Sequence, residues 1–168
     1  MVGWETSMLD AAKERPAMAT WSDILGDAPE FATRLQSLFD AGTNKTIATL
    51  RRDGAPRISG TELLFDGDEV TLGMMPHSMK LLDVQRDARV AIHSPTLEPP
   101  KDDPSAWPGD AKLAGTLRAI APPAEGAFPG AGYFALDIVE AALTSVAGDL
   151  LIIESWHPDR GWERRERT

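Results

Sequence analysis

TIATLRRDGAPRIS, residues 46–59, has the clearest structural pattern in the sequence. β-rich runs lie on both sides of Asp53-Gly54, a dipeptide typical of the tight turn between two antiparallel strands. The stretch therefore predicts a β-hairpin, and the pattern of the second strand continues as far as Phe65.

A helix is expected before this hairpin. Asp27 followed by Glu30 resembles a capping box, Pro29 suits a first helical turn, and Gly42 stands where a C-terminal cap belongs. Between these signals, an apolar stripe at helical spacing is formed by Phe31, Leu35, Leu38 and Phe39. We expect this helix to cover one end of a β-structure.

The chain after the hairpin has mainly the patterns of strands. We expect strands over 69–74, 89–93 and 112–120, a short helix over 78–86, and up to three closing strands over 134–143, 150–156 and 162–167. Prolines exclude regular pairing over 95–109, which predicts a surface loop, and the Pro- and Gly-rich residues 121–132 predict a connection. Six or seven short antiparallel strands indicate a closed barrel or a sandwich, and periodicity alone leaves both open.

Composition limits the classes of function. The 168 residues suit one domain with its own core, and 42% hydrophobic with 26% charged residues is ordinary for a globular protein. The absence of cysteine excludes disulfides, thiolate metal sites and a cysteine nucleophile. A formal net charge of -9 argues against broad nucleic-acid binding, although it allows a local basic pocket.

Residues 1–17 are expected to be a flexible or loosely docked extension of a domain that covers 18–168. Charged residues interrupt this segment, which argues against a signal peptide or an anchor. No stretch approaches the roughly 20 apolar residues that a membrane-spanning helix needs. We therefore expect a cytoplasmic protein with no membrane partner.

Two further motifs accompany the hairpin. His77-Ser78-Met79-Lys80 leads into LDVQRDARV, residues 82–90, and ESWHPDRG, residues 154–161, lies near the C-terminus. Together with residues 46–59, they resemble the pyridoxamine 5'-phosphate oxidase-like, FMN-binding split-barrel family. The resemblance covers residues 21–167 and implies a mainly β fold, a six-stranded antiparallel Greek-key split barrel. It also implies a homodimer with two flavin sites in the clefts between its subunits.

The candidate cofactor site combines strand and helix residues. By strand periodicity Arg57, Ser59 and Thr61 share one face, while Ser78 and Lys80 begin a helix whose free N–H groups favour an anion. Fixed cations and hydroxyl groups suit a flavin phosphate, and the resemblance implies phosphate binding at the matching positions. Further cofactor-binding candidates, beside the ring or in the cleft wall, are Met74, His77 and Trp156.

The resemblance implies a function in which the cofactor supplies the redox chemistry and no side chain is a catalytic acid or base. The expected protein is an FMN-binding oxidoreductase acting on an unidentified small molecule. One alternative is an F420-dependent reductase of the same fold, and another is a non-catalytic flavin or haem carrier or sensor. Vitamin-B6 oxidase activity is not expected, because the further arginines and the histidine that hold a substrate phosphate have no match here.

Several of the candidate residues also have a simpler interpretation without a function in binding. Without the resemblance of the hairpin and of the His77-Ser78-Met79-Lys80 motif, Arg57 and Lys80 would be interpreted as ordinary surface charges. The three histidines lack metal-ligand spacing, so no metal site is expected. Trp107 either caps the flavin or covers the barrel. Neither a G-x-S-x-G elbow nor a G-x-G-x-x-G loop after a strand is present, which argues against a hydrolase or a Rossmann site.

Overall fold

The computed structural model describes residues 17–168, so the predicted extension lies outside the described residues except for Ala17. These residues form three α-helices and nine β-strands. The helices are α1 (Trp21–Asp27), α2 (Pro29–Asp40) and α3 (Met79–Arg86). The strands are β1 (Lys45–Leu50), β2 (Pro56–Thr61), β3 (Leu64–Phe65), β4 (Val70–Met74), β5 (Arg89–His93), β6 (Asp110–Ala119), β7 (Gly132–Ala147), β8 (Leu150–His157) and β9 (Gly161–Arg167).

All nine strands belong to one antiparallel sheet, which confirms the mainly β class. The order of its main path is β2-β1-β5-β6-β7-β4-β3, and β8 and β9 extend it from β7. The sheet curls until β2 lies beside β4, but within residues 17–168 no ladder joins these two strands. The barrel is therefore open between β2 and β4, and its described part has more strands than the six expected.

The predicted hairpin is confirmed as β1 and β2, joined by a turn in which Arg51 N donates to Ala55 O at 2.9 Å. Gly54 takes the positive φ of 83° that the turn requires and that glycine adopts without strain. The second strand ends at Thr61 instead of Phe65. Its partner there is Lys45, the first residue of β1, so residues beyond Thr61 have nothing on β1 to pair with.

The helix expected from Asp27 begins later, because Asp27 is the last residue of α1 and Ala28 is the N-cap of α2. The Asp27 carboxylate does not cap α2 and instead accepts a hydrogen bond from Trp156 Nε1 at 2.7 Å. Pro29 does lie in the first turn, and the four residues of the predicted apolar stripe are all buried. None of the helices in the described part is long and apolar enough to span a membrane.

A bulge in the central pair of strands bends the sheet. The register between β6 and β7 shifts at Ala114 and Gly115. A Cβ on Gly115 would lie 2.1 Å from Asp137 O, so only glycine fits against the backbone of β7 at this point. Strand β7 is also longer than predicted, since it pairs with β4 near its start and with β8 near its end.

One ion pair ties α2 to the far end of the sheet. Both Nη atoms of Arg34 donate to the Glu154 carboxylate on β8, each at 2.6 Å. The Glu154 side chain is 3% exposed, and Trp162 Nε1 also donates to it at 3.1 Å. Burial raises the pKa of this carboxyl, but the hydrogen bonds and charge of Arg34 outweigh burial and lower it.

Replacing Arg34 with leucine is expected to lower the free energy of unfolding by about 2 kcal/mol, because it leaves a buried carboxylate without its main donors. Urea denaturation measures the change. Arg89→Leu is the matched control, since Arg89 pairs with Asp87 but is exposed and should matter much less. Equal losses in the two variants would contradict this account of the Arg34 pair.

Candidate functional site

Helix α3 lies against the β1–β2 hairpin through a row of polar contacts that we call the α3–β2 seam. Lys80 Nζ donates to Gly60 O at 2.5 Å, and Arg57 Nε donates to Asp83 Oδ2 at 2.6 Å. Three residues further along α3, Arg86 donates to the carbonyl of Leu50. One face of α3 thus follows the hairpin from β2 towards the end of β1.

Asp83 is the centre of the seam. Its side chain is 2% exposed and receives hydrogen bonds from Arg57, from Thr49 Oγ1 at 2.9 Å and from Arg86 at 3.1 Å. Burial alone would raise the pKa of this carboxyl, but the three donors and the charge of Arg57 lower it to about 2. Asp83 is therefore ionised near neutral pH.

The opening between β2 and β4 holds a depression of about 520 Å³, which we call the gap pocket. Its apolar walls come from Met74, Met75, Phe128 and Tyr133, and Lys80 supplies the cation. The remaining lining residues are Asn44, Gly60, Thr61, Glu62, Gly73, Gly126 and Ala131. An apolar concavity with a few polar groups is the usual form of a small-molecule site.

The ammonium group of Lys80 lies in partly desolvated surroundings. Burial lowers its pKa, and within residues 17–168 its one hydrogen-bond partner is Gly60 O and it forms no ion pair. An ammonium has three donors, so the protein leaves donor capacity at this position. A bound anion would use that capacity and offset the cost of desolvation.

The chain between β4 and α3 is a strained turn at the edge of the gap pocket. Ser78 N donates to Met75 O at 3.2 Å, and His77 has a φ of 60°, the left-handed region that non-glycine residues seldom adopt. Ser78 is the N-cap of α3, and its Oγ accepts a hydrogen bond from Leu81 N at 3.4 Å. Strain of this kind is concentrated at functional sites, where the surrounding structure maintains it.

The structure brings together some of the predicted site residues and separates others. Thr61, Met74 and Lys80 line the gap pocket. His77 and Ser78 occupy the adjoining turn, and Ser59 lies half-buried on β2 two residues before Thr61. Two other predicted residues, Arg57 and Trp156, do not line this pocket.

Arg57 lies on the same seam as Lys80 but lines a different concavity, which we call the arginine depression. It has a volume of about 720 Å³ and lies between the β1–β2 turn and α3. Four guanidinium groups line it, those of Arg51, Arg52, Arg57 and Arg86. The other lining residues are Asp53, Met79, Leu82, Asp83 and Gln85.

Trp156 and Trp107 are both engaged elsewhere. Trp156 lies buried on β8 and its indole nitrogen donates to Asp27, beside the N-terminal helices. Trp107 donates to Leu97 O at 2.8 Å within its own loop, and so covers that loop instead of the gap pocket. The sequence pattern missed Phe128, because it identified residues 121–132 only as a connection. It also missed Tyr133, because the expected strand began at residue 134, whereas β7 begins at Gly132.

The histidines of the described part are separate from one another. His93 Nε2 lies 3.6 Å from Asp110 Oδ2, and His157 Nε2 lies 3.4 Å from Glu140 Oε2. His77 is exposed in the turn before α3. Within residues 17–168, no group of three or more His, Cys, Asp or Glu residues is arranged to hold a metal ion.

Comparison with known proteins supports the fold. No protein-family model and no curated protein matches the sequence. The structure is similar to PhzG from Burkholderia lata 383 in complex with tetrahydrophenazine-1-carboxylic acid, with a TM-score of 0.59, 11% identity, and coverage of 93% of this chain and 95% of that chain. It is also similar to a pyridoxamine 5'-phosphate oxidase-related, FMN binding protein from Nostoc punctiforme, with a TM-score of 0.56, 12% identity, and coverage of 85% and 95%.

A third similar structure is a heme binding protein from Mycobacterium smegmatis, with a TM-score of 0.55 and 19% identity. The match covers 75% of this chain and 58% of that longer one. The chain therefore has the fold of the pyridoxamine 5'-phosphate oxidase-like split barrels, as residues 46–59 and the His77-Ser78-Met79-Lys80 motif indicated. At these low sequence identities, the similarity shows the fold alone and does not identify a ligand.

The contribution of the α3–β2 seam to the free energy of unfolding is expected to decrease at low pH. Because the pKa of Asp83 is lowered to about 2 in the folded protein, its contribution is present above its ordinary value of 3.8 and is lost as the pH falls towards 2. Asp83→Asn should therefore lose less stability than the wild type between about pH 4 and pH 2. Urea midpoints measured at steps across this range test the prediction, and parallel curves for the two proteins would contradict it.

Proposed function

We propose that the gap pocket binds a flavin-type cofactor and that the protein is an oxidoreductase acting on a small molecule. FMN is preferred over F420 as the cofactor. The observation that carries the proposal is the partly desolvated ammonium of Lys80, which has a single hydrogen-bond partner in the described part and lies beside apolar and aromatic walls. A planar ring with an anionic tail has the matching chemistry.

The residues of the pocket fit the two parts of such a cofactor. Lys80 and the buried hydroxyl-bearing residue Thr61 offer polar contacts for the phosphate. The side chains of Met74, Met75 and Tyr133 offer apolar contacts for the ring. When bound, the flavin supplies two-electron transfer. The chain supplies the phosphate contacts, orients the ring and excludes water from one side of it.

Arg57 serves this site as a positioning residue. Its Nε is committed to Asp83, so it fixes α3 against β2 and thereby holds Lys80 beside Gly60. Haem is the less favoured cofactor, because no histidine is among the residues that line the gap pocket. A carrier or sensor without turnover remains the alternative in function, and a substrate-dependent change in flavin absorbance distinguishes the two.

The proposed functional unit is a homodimer formed through the outer face of the sheet. Four apolar side chains lie in register across β2, β1, β5 and β6 on this face: Ile58, Ala48, Ala91 and Ala114. Ile58 is 75% exposed, an unusual degree for a large apolar residue in a strand. A second copy would cover this row, and small side chains allow two sheets to approach closely.

Lys80→Ala should weaken the binding of FMN by about 1.5 to 3 kcal/mol, the range of a hydrogen bond to a charged group. Quenching of flavin fluorescence during titration measures the affinity, and F420 is titrated in parallel. Lys101→Ala is the control, because Lys101 is exposed in the proline-rich loop and does not line the pocket. Equal affinities for the wild type and the Lys80 variant would exclude the gap pocket as the site.

Ile58→Glu should convert the dimer into a monomer, because it replaces the largest and most exposed apolar side chain of the row with a charge. Size-exclusion chromatography with light scattering measures the mass. Leu64→Glu is the matched control. Leu64 has the same size as Ile58 and is also highly exposed, but it lies on β3, away from the row. A wild-type monomer, or a dimeric Ile58 variant, would refute the proposed interface.

A further inference from the structure

Methionine supplies the oxidisable sulfur of this chain, because the sequence contains six methionines and no cysteine. Four of them, Met18, Met74, Met75 and Met79, lie in the part of the chain that the structure describes. Met74 is 2% exposed, whereas Met18, Met75 and Met79 are 46%, 57% and 54% exposed. A dissolved oxidant must reach the sulfur before it can react, so burial separates Met74 from the other three.

Met75 is an exposed methionine in the wall of the gap pocket. Met74 is the last residue of β4 and packs into the core, and successive side chains of a strand alternate between its two faces, which explains the exposure of Met75. Both residues line the gap pocket, whereas Met18 and Met79 do not. Within residues 17–168, Met75 is therefore the one methionine that is both exposed and part of the pocket wall.

The strained turn after β4 holds the backbone of Met75 beside the pocket. Pro76 follows Met75 and restricts its backbone to extended conformations. The carbonyl of Met75 accepts the hydrogen bond from Ser78 N at 3.2 Å that closes the turn, and His77 lies inside it with a φ of 60°. The Met75 side chain is therefore attached to a fixed point at the edge of the pocket.

We propose that Met75 is a site of reversible oxidation that controls the binding of a ring in the gap pocket. The inference rests on the proposed function, in which Met75 offers an apolar contact to the ring. Hydrogen peroxide is the oxidant. The thioether sulfur forms a bond to one peroxide oxygen, the O–O bond breaks, and the other oxygen leaves as water with both protons. The sulfur is oxidised to the sulfoxide, and the peroxide is reduced to water.

The sulfoxide changes the pocket wall in two ways. It removes the polarisable thioether, which makes favourable contacts with aromatic rings. It also introduces a polar S=O group, which loses its hydration when a ring covers it. Met74 remains protected in the core, so the oxidation alters the wall of the pocket and leaves the packing beneath it intact. Because sulfoxide reductases return the thioether, the loss of ring binding is reversible.

Peptide mass spectrometry of the full chain after treatment with hydrogen peroxide tests the site of oxidation. Met75 should gain an oxygen atom well before Met74 does, at a rate similar to that of Met18, because Met75 and Met18 are both exposed. FMN at saturation should slow the oxidation of Met75 several-fold and leave that of Met18 unchanged, since a bound ring covers only the former. Oxidation of Met75 as slow as that of Met74, or no protection of Met75 by bound FMN, would overturn the inference.

Quenching of FMN fluorescence measures the consequence of the oxidation. The oxidised wild type should bind FMN about two- to tenfold more weakly, the range of a lost contact between sulfur and an aromatic ring, and treatment with methionine sulfoxide reductase should restore the affinity. Met75→Leu has no sulfur at this position, so its affinity should be the same before and after peroxide treatment. Met18→Leu is the matched control and should lose affinity on oxidation as the wild type does.

The results separate this inference from the function on which it rests. An affinity that complete oxidation of Met75 leaves unchanged, or a Met75→Leu variant that still loses affinity with peroxide, would overturn the role of Met75 and leave the proposed cofactor site standing. No quenching by the unoxidised wild type would overturn the proposed function, and this inference with it.

Discussion

The buried carboxylate of Asp83 organises the candidate site. A charge removed from water must be met by donors, so Arg57, Thr49 and Arg86 have to converge on it. Because these donors lie on β2, β1 and α3, the convergence fixes the helix across the hairpin. The same placement brings Lys80 to the carbonyl of Gly60 and the strained turn before α3 to the edge of the gap pocket.

An open barrel exposes backbone groups that a closed one would pair. Strand β2 is the end of the main path of the sheet, and its edge faces β4 across the gap. The ammonium of Lys80 occupies one carbonyl of this edge, that of Gly60, and a charge at a strand edge also opposes pairing with another chain. A single side chain thus occupies one carbonyl of the unpaired edge and supplies the cation of the pocket.

Local patterns predicted the elements that local residues determine. The hairpin around Asp53-Gly54, the stripe of α2 and the Ser78 start of α3 are present as the sequence indicated. Helix α1 was missed because its seven residues are too few to show a period, and it is held by tertiary burial of Trp21 and Ile24. For the site, strand periodicity placed Arg57, Ser59 and Thr61 on one face, but it carried no information on which concavity each side chain enters. The contacts of Asp27 and Trp156, 129 residues apart, depend on the whole fold and have no local signal.

The seam also explains why two cations predicted to act together lie in different concavities. Asp83 accepts a hydrogen bond from Arg57 Nε, and that guanidinium lines the arginine depression together with Arg51 and Arg52. Lys80, one helical turn earlier, lies on the same face of α3 but nearer the end of β2, where it is the one lysine or arginine among the lining residues of the gap pocket. The hydrogen bonds of the seam therefore separate the two cations, because Arg57 is held in the arginine depression and Lys80 is held at the gap pocket.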